Sequence, residues 1–159
     1  MTTVIALFLL ICSNGIQAQS EQTALNQAEL MKKFLGTWQA NVGKDTIEIW
    51  EGQQYERALV IKVSQVIKGK KNLLYINNVS FDGNEGKSKG FLLLSNGGYA
   101  TWIGFFTTEK IFMGNLVQNF NPEMTDLKFQ GVFTNSNEYI WTEYNKESVK
   151  ILEHKFRKI

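Results

Sequence analysis

The sequence predicts an all-β protein, an antiparallel up-and-down β-barrel of about eight to ten strands with a short N-terminal helix. Three observations lead to this prediction. From Trp38 to the C-terminus, apolar and polar residues alternate with the side-chain period of a strand. Turn-forming residues interrupt the alternation at spacings near the roughly 8–12 residues typical of sandwiches and barrels. No stretch between the segments is long enough for the helical crossover that parallel pairing needs.

The composition is that of one globular domain. The chain has 159 residues, of which 43% are hydrophobic and 20% charged, which is ordinary for a folded domain of this size. Its 13 glycines and single proline suit strands joined by tight turns. The net charge of +2 comes from interspersed acids and bases. We expect no nucleic-acid partner, because that would need a clustered basic face.

The N-terminal segment, residues 1–18, is predicted to be a cleavable signal peptide. Residues 4–11 form an uninterrupted apolar run, which is shorter than the roughly 20 residues that span a bilayer. We therefore expect no stable membrane span. Ala18 is a small residue before Gln19, where cleavage is predicted. The predicted mature protein, residues 19–159, is one secreted or periplasmic barrel domain.

Cys12 is the only cysteine and lies within the predicted signal peptide. The predicted mature protein then has no thiol, which excludes cysteine catalysis, zinc–thiolate sites and a disulfide scaffold. Two alternatives concern this segment. In place of a cleavable signal peptide, it could be a lipoprotein signal with Cys12 as the lipid-modified residue, or a buried strand or helix.

Residues 22–34 are predicted to form one short amphipathic helix. Their Ala, Leu, Glu, Met and Lys residues favour helix, and the apolar positions recur at a helical spacing. Gly36 is a suitable residue to end it. The predicted helix therefore stands directly before the first strand.

Ten segments after the helix are predicted to be strands. Asn96-Gly97 between two apolar runs is a strong hairpin signal. Residues 119–125, which include Pro122, are predicted to be the longest loop of the second half. The predicted strands cover residues 37–42, 46–51, 55–67, 72–81, 90–95, 99–107, 111–118, 126–134, 138–144 and 149–158.

The short connections favour a meander in which consecutive strands are antiparallel neighbours. An open sheet of this size would expose two edge strands with unpaired backbone groups. Closing the sheet on itself removes both edges, so a barrel is favoured over an open sheet. A closed barrel of eight or more strands can also hold a small ligand among its inner side chains.

Gly36-Thr37-Trp38 follows the predicted helix and opens the first predicted strand. This Gly-x-Trp opening resembles that of the calycin barrels, the superfamily of lipocalins, fatty-acid-binding proteins and their bacterial relatives. The resemblance implies that Gly36 and Trp38 are structural residues and that Trp38 closes one end of the barrel. It also implies that a basic residue of the last strand, Arg157 or its neighbour Lys158, packs over Trp38 through a cation–π contact.

One segment departs from the fatty-acid-binding branch of that superfamily. Those proteins have a helical hairpin between their first two strands, whereas only Gly43-Lys44-Asp45 lies there in this chain. The chain is more similar to a plain lipocalin-like barrel. Together with the many aromatic residues, the resemblance implies a binding protein for a small hydrophobic or amphipathic ligand, with no cofactor.

Arg57 is the first candidate ligand-binding residue. It shares one face of a long predicted strand with three apolar residues, and a buried guanidinium needs an anionic partner. A ligand carboxylate, Glu48 or Glu143 would serve. The alternative is an arginine at a strand end that reaches solvent or pairs with a surface acid.

Aromatic and hydroxyl side chains of later strands are the other candidates for the cavity lining. The alternative for all of them is ordinary core packing, which gives a structural or protein-interaction barrel with a filled core. These candidates are Tyr99, Thr101, Phe105, Phe129 and Phe133.

His154, the only histidine, alternates with apolar residues on the last predicted strand. A packed, hydrogen-bonded histidine is one interpretation, and a ligand-binding residue is another. The bacterial haem barrels called nitrobindins are similar to calycins and bind iron through a histidine near the C-terminus, so haem binding through His154 is an alternative function. A barrel-cavity lyase or isomerase is a further alternative, in which Arg57, His154 and a carboxylate would have to converge.

Both faces of several predicted strands are apolar, so something must cover the outer surface. Trp102 and Phe106 are predicted to belong to this outer apolar patch. The N-terminal helix would cover one part, and a second subunit would cover another. A homodimer is therefore predicted together with the filled-core alternative.

Overall fold

In a computed structural model of the protein, residues 25–159 are described. The predicted signal peptide and the first predicted helical residues lie outside this range. The described helix is shorter than the sequence predicts, since α1 spans Gln27–Met31 and a turn of 3-10 helix follows at Lys32–Phe34. The helix begins there because the Asn26 side chain accepts a hydrogen bond of 3.1 Å from the backbone N–H of Glu29.

Ten strands follow the helix, and each pairs with the next in antiparallel fashion. They are β1 (Gly36–Gly43), β2 (Thr46–Tyr55), β3 (Ala58–Ile67), β4 (Lys70–Asp82), β5 (Lys87–Leu94), β6 (Tyr99–Phe106), β7 (Ile111–Gln118), β8 (Asn121–Asn135), β9 (Glu138–Tyr144) and β10 (Lys150–Lys158).

The sheet closes where β10 pairs with β1, which confirms the predicted antiparallel up-and-down barrel with a short N-terminal helix. In this seam, Trp38 is the partner of Lys158 and Gln39 is the partner of Arg157. All other strand pairs have longer ladders than this seam.

Several strand ends differ from their predicted positions, and two of the errors lie at two-residue turns without glycine. The predicted strand 55–67 is interrupted by the turn at Glu56 and Arg57, where Glu56 has a φ of 51°. The predicted loop 119–125 is a tight turn at Asn119 and Phe120, with φ values of 50° and 59°. Left-handed residues at such turns match the twist of the two strands, but only Asn119 is a typical turn residue.

One end of the barrel, here called the capped end, is closed by aromatic packing. The helical segment places Phe34 inside this end, where its ring lies 5.2 Å from Phe133 and 5.9 Å from Tyr139. Trp38 is 1% exposed and lies 5.0 Å from Tyr139 between ring centroids. Tyr139 also stacks on Phe156 at 4.9 Å. Such ring pairs contribute about 0.5–1.5 kcal/mol each beyond their buried area.

The cation over the Trp38 ring is Lys158, whose Nζ lies 5.2 Å from the ring centroid. Of the two predicted partners, Arg157 is wrong, because strand alternation turns its side chain outward. Arg157 is 73% exposed and lies 3.7 Å from Glu138. The same lysine lies over Gly36, where a β-carbon would come within 2.9 Å of Lys158 Cε.

Gly52 should be the least replaceable glycine of the capped end. A β-carbon there would overlap the carbonyl oxygen of Phe34, so Gly52→Ala must displace the helical segment. We expect a loss of about 1–3 kcal/mol in the free energy of unfolding, measured by urea denaturation. In Gly83→Ala, the matched control, the added methyl group meets no atom within 4 Å, and the change should stay within about 1 kcal/mol. Equal effects of the two substitutions would contradict this packing.

Candidate functional site

The barrel interior is packed at the capped end and hollow beyond it. The hollow part is a cavity of about 320 Å³, which lies within the size range of small-molecule sites, about 300–1,000 Å³. Most of its lining is aliphatic or aromatic, with three polar residues. The lining residues are Met31, Phe34, Trp50, Ile61, Val63, Tyr75, Asn77, Leu92, Leu94, Ala100, Trp102, Phe112, Leu116, Leu127, Phe129, Trp141 and Glu143.

The cavity meets solvent at the end opposite Trp38, here called the open end, where β1 turns into β2 and β9 connects to β10. The inward-facing Leu94, Leu116 and Leu127 are half-buried at this end, whereas Val63 is buried deeper in the barrel. An inward-facing side chain of a closed barrel is exposed only through its interior. A small molecule therefore has access to the cavity from the open end.

Two tryptophans of the cavity wall donate hydrogen bonds to carboxylates inside the barrel. Trp50 Nε1 donates to Glu48 Oε1 at 2.7 Å, and Trp141 Nε1 donates to Glu143 Oε1 at 3.0 Å. Gln65 Nε2 also donates to Glu48 Oε2 at 3.2 Å. In each Trp–Glu pair the two residues are two positions apart on one strand, so alternation puts both on the inner face. These bonds satisfy buried indole groups and hold the rings against the wall.

The third tryptophan of the wall uses a neutral acceptor. Trp102 Nε1 donates to Asn77 Oδ1 at 3.0 Å. Its indole lies across the neighbouring strand at Gly90, where a β-carbon would overlap the ring. Gly114 makes room for the Phe129 ring in the same way. Glycines on the inner face thus let large rings lie flat against the wall and leave the middle of the barrel open.

Two tyrosine hydroxyls share the interior with the two carboxylates. Burial raises the pKa of Tyr75 well above its usual value, and the nearby Glu48 and Glu143 raise it further. Burial also raises the pKa of Tyr139, with smaller contributions from Tyr75 and Glu48. Tyr139 is fully buried, and its hydroxyl has no hydrogen-bond partner among residues 25–159. Acidic and phenolic groups from three strands therefore face the barrel interior.

Two of the predicted ligand-binding aromatic residues lie inside the barrel. Phe129 lines the cavity and stacks on Trp141 at 4.9 Å between centroids. Phe133 lies deeper, in the aromatic packing of the capped end, 6.1 Å from Trp38. Of this pair, only Phe129 is in contact with the hollow part.

Three predicted lining residues of β6 face outward, so these predictions are wrong. Tyr99 and Phe105 are exposed, at 59% and 41%. Thr101 is buried, but its hydroxyl donates to the carbonyl of Val117 at 2.6 Å and accepts from the backbone N–H of Phe120 at 3.1 Å. The turn between β7 and β8 thus covers Thr101 from outside. The register of β6 puts the even-numbered residues inside, including Trp102.

The inward placement of Trp102 and Phe106 also corrects the predicted outer patch, because both are buried in the core. The exposed apolar residues of the neighbouring outer surface include Leu93, Phe105 and Met113. The homodimer remains a prediction.

Arg57 lies in the exposed turn between β2 and β3, so its predicted place inside the barrel is wrong. Its side chain lines an external groove of about 600 Å³ beside α1, at the capped end. His154 lies half-buried on β10, with Trp141 as its register partner, and is not among the residues that line the cavity. Arg57 and His154 do not converge, which removes the arrangement that the lyase or isomerase alternative requires.

The site residues that the sequence did not identify are Trp50, Tyr75, Asn77 and Trp141. The alternation of Glu48 with Trp50, and of Trp141 with Glu143, was a readable signal that places an acid and an indole on one face. Tyr75 and Asn77 lie on β4 beyond a register shift between β3 and β4. Period-two reasoning loses the face of a strand at such a bulge.

Residues 25–159 contain no group of three His, Cys, Asp or Glu side chains placed to hold a metal ion. No helix in this part of the chain is long and apolar enough to cross a bilayer. No protein-family model and no curated protein matches the chain. Among solved structures, the chain is similar to a redesigned β-barrel, mFAP1, bound to DFHBI. The identity is 17% and the TM-score 0.36, over 85% of this chain and all of that chain.

The raised pKa values of Tyr75 and Tyr139 should appear in an alkaline titration of tyrosinate absorbance. Unfolded tyrosines ionise near pH 10. Since the folded pKa values are higher, the folded state holds these protons longer and loses stability as the pH rises above about 10. We expect Tyr75→Phe to weaken this loss and to leave the absorbance change of the native protein unaltered. A smaller change in the native range would contradict the interior position of Tyr75.

Proposed function

We propose that this protein is an exported, lipocalin-like barrel that binds a small, largely apolar molecule in its interior. The single observation that supports this function best is the cavity of about 320 Å³ in the middle of the barrel. Its lining combines aliphatic and aromatic side chains with a few polar groups, as in small-molecule sites generally. A barrel with a filled core would have side chains in this space.

The walls of this cavity are held in place before any ligand arrives. The indoles of Trp50, Trp102 and Trp141 are each fixed by a hydrogen bond, and Trp50 and Trp141 contact each other at 5.2 Å between centroids. A ligand then loses little affinity to ordering of the site. It gains affinity by removing apolar surface from water, at about 25 cal/mol per Å².

Two features support the calycin-like part of the proposal. The Gly-x-Trp opening begins β1 after the helical segment, and Trp38 closes the capped end with the cation of Lys158 over its ring. The apolar run of residues 4–11 supports export. A secreted or periplasmic carrier would meet its ligand outside the cytoplasm.

Filling the cavity should abolish binding of a neutral apolar probe. We expect N-phenyl-1-naphthylamine to gain fluorescence on binding to the wild-type protein. Leu92→Trp puts a large ring into the cavity and should weaken this binding about tenfold or more. Leu93→Trp, the matched control, adds the same ring at the next residue, on the outer face where Leu93 is exposed. Absence of probe binding in the wild type, or equal binding by both variants, would argue against an internal site.

Export predicts a defined N-terminus for the protein isolated from its native source. Cleavage after Ala18 gives a chain that starts at Gln19, and Ala18→Arg should block it because signal peptidase needs a small residue there. The measurement is the intact mass of the exported protein. Detection of Met1 in that protein would rule out the signal peptide.

A further inference from the structure

The charged groups inside the cavity are all of one sign. Glu143 is the only charged residue among those that line the cavity. Glu48 is not among the lining residues, but its carboxylate is hydrogen-bonded to the lining residue Trp50. Neither lysine nor arginine occurs in the lining. The ion pairs found in residues 25–159 connect surface side chains and include neither Glu48 nor Glu143.

A carboxylate away from water costs free energy unless it is paired or well hydrogen-bonded. Glu143 Oε1 accepts one hydrogen bond, from Trp141. A carboxylate has room for about four. This part of the cavity therefore has unused hydrogen-bonding capacity. An inward-facing group beside it that can carry positive charge is His154, the register partner of Trp141, which is not among the lining residues.

Aromatic faces next to the carboxylates add a second attraction for a cation. Trp50 and Trp141 both line the cavity and meet edge to face at 5.2 Å and 74°. A ring face attracts an ammonium group by about 0.5–2 kcal/mol, most strongly when the contact is desolvated. Carboxylates and indole faces together form the usual receptor for amines and quaternary ammonium groups.

The opposite wall is apolar. Leu92 and Leu116 line it from β5 and β7, across the barrel from the arc of β9, β10, β1 and β2 that holds Glu143 and Glu48. Leu127 and Phe129 lie beside the carboxylates instead, since Phe129 on β8 is the register partner of Glu143. The two carboxylates and the two leucines thus face each other across the cavity. A molecule with one positively charged end and one apolar end is complementary to this arrangement of carboxylates and leucines.

We propose that the ligand of this cavity is an amphipathic cation, an amine or quaternary ammonium group attached to an apolar or aromatic body. This proposal rests on the proposed binding function. The cationic head lies between Glu48, Glu143 and the indole faces, and the body lies against the leucine wall. Anionic amphiphiles such as fatty acids are disfavoured, because their carboxylates would face two like charges with no cation in the lining.

Lysines at the open end do not change this preference. Lys44, Lys68 and Lys146 lie in exposed turns, among acids such as Asp45 and Glu147. Exposed charges are screened by salt over roughly 8–10 Å. The two glutamates lie inside the barrel, where the effective dielectric constant is lower than in bulk water and electrostatic interactions are therefore stronger than at the surface.

Three probes of one shape and different charge test the proposal. They are 1-naphthylmethylamine, 1-naphthalenemethanol and 1-naphthoate, titrated calorimetrically at neutral pH into the mature full-length protein. We expect the amine to bind about tenfold tighter than the alcohol, and the naphthoate to bind weakest. Binding of the alcohol or the naphthoate as tightly as the amine would overturn the proposal.

Isosteric variants test whether the carboxylates of Glu48 and Glu143 attract the amine. Glu143→Gln and Glu48→Gln keep an oxygen that accepts the indole hydrogen bond and remove the charge. We expect each to weaken amine binding several-fold and to leave the affinity for the alcohol unchanged, which also shows that the variant is folded. Glu51→Gln is the matched control, because Glu51 lies on the outer face of β2 and pairs with Lys71 at 2.8 Å. It should leave all three affinities unchanged.

The outcomes separate the two proposals. Binding of the neutral alcohol without any preference for the amine refutes the cationic ligand and leaves the binding function standing. Unchanged amine affinity in both glutamate variants refutes it as well. Absence of binding by all three probes and by N-phenyl-1-naphthylamine refutes the binding function itself.

Discussion

The structure depends on closure of the sheet where β1 meets β10. This seam has two register pairs, Trp38 with Lys158 and Gln39 with Arg157, both at the capped end. Such a short ladder contributes little stability by itself, so the aromatic packing around Trp38 must hold β1 and β10 together. Without closure, two edge strands would be exposed and the cavity would lose part of its wall. The ring packing of the capped end is therefore a precondition of the binding site.

Aromatic side chains fill the interior at one end of the barrel and line the cavity wall farther along its axis. At the capped end, rings such as Phe34 and Tyr139 fill the interior completely. Farther along, Trp50, Trp102 and Trp141 line the cavity wall, where their N–H groups find acceptors, and Gly90 gives the Trp102 ring its space. A buried tryptophan N–H usually has such an acceptor, although that of Trp38 at the capped end has none within residues 25–159. The polar residues of the cavity are thus part of the scaffold as well as of the site.

The sequence predicted the fold because strand period, hairpin turns and the Gly-x-Trp opening all indicate the same architecture. The sequence predicted the site poorly where neither the strand period nor a turn motif shows which side chains face inward. On β6, Tyr99 and Phe105 alternate with Trp102 and Phe106, so both faces are apolar and the period cannot show which face is inside. A shift of one residue exchanges the two faces, and that is the error made for Tyr99, Thr101 and Phe105. The turn at Glu56 and Arg57 has no glycine, which led to the wrong interior position of Arg57.

The choice of acceptor for each tryptophan bears on function as much as on stability. Trp102 donates to the amide of Asn77, which satisfies the indole without placing charge in the interior. Neutral side chains could do the same for Trp50 and Trp141, and a half-buried carboxylate is the more costly solution. Yet Glu48 and Glu143 are the acceptors there, and both face the barrel interior as Tyr75 does. Stability alone does not require these two charges, whereas a positively charged ligand makes use of both.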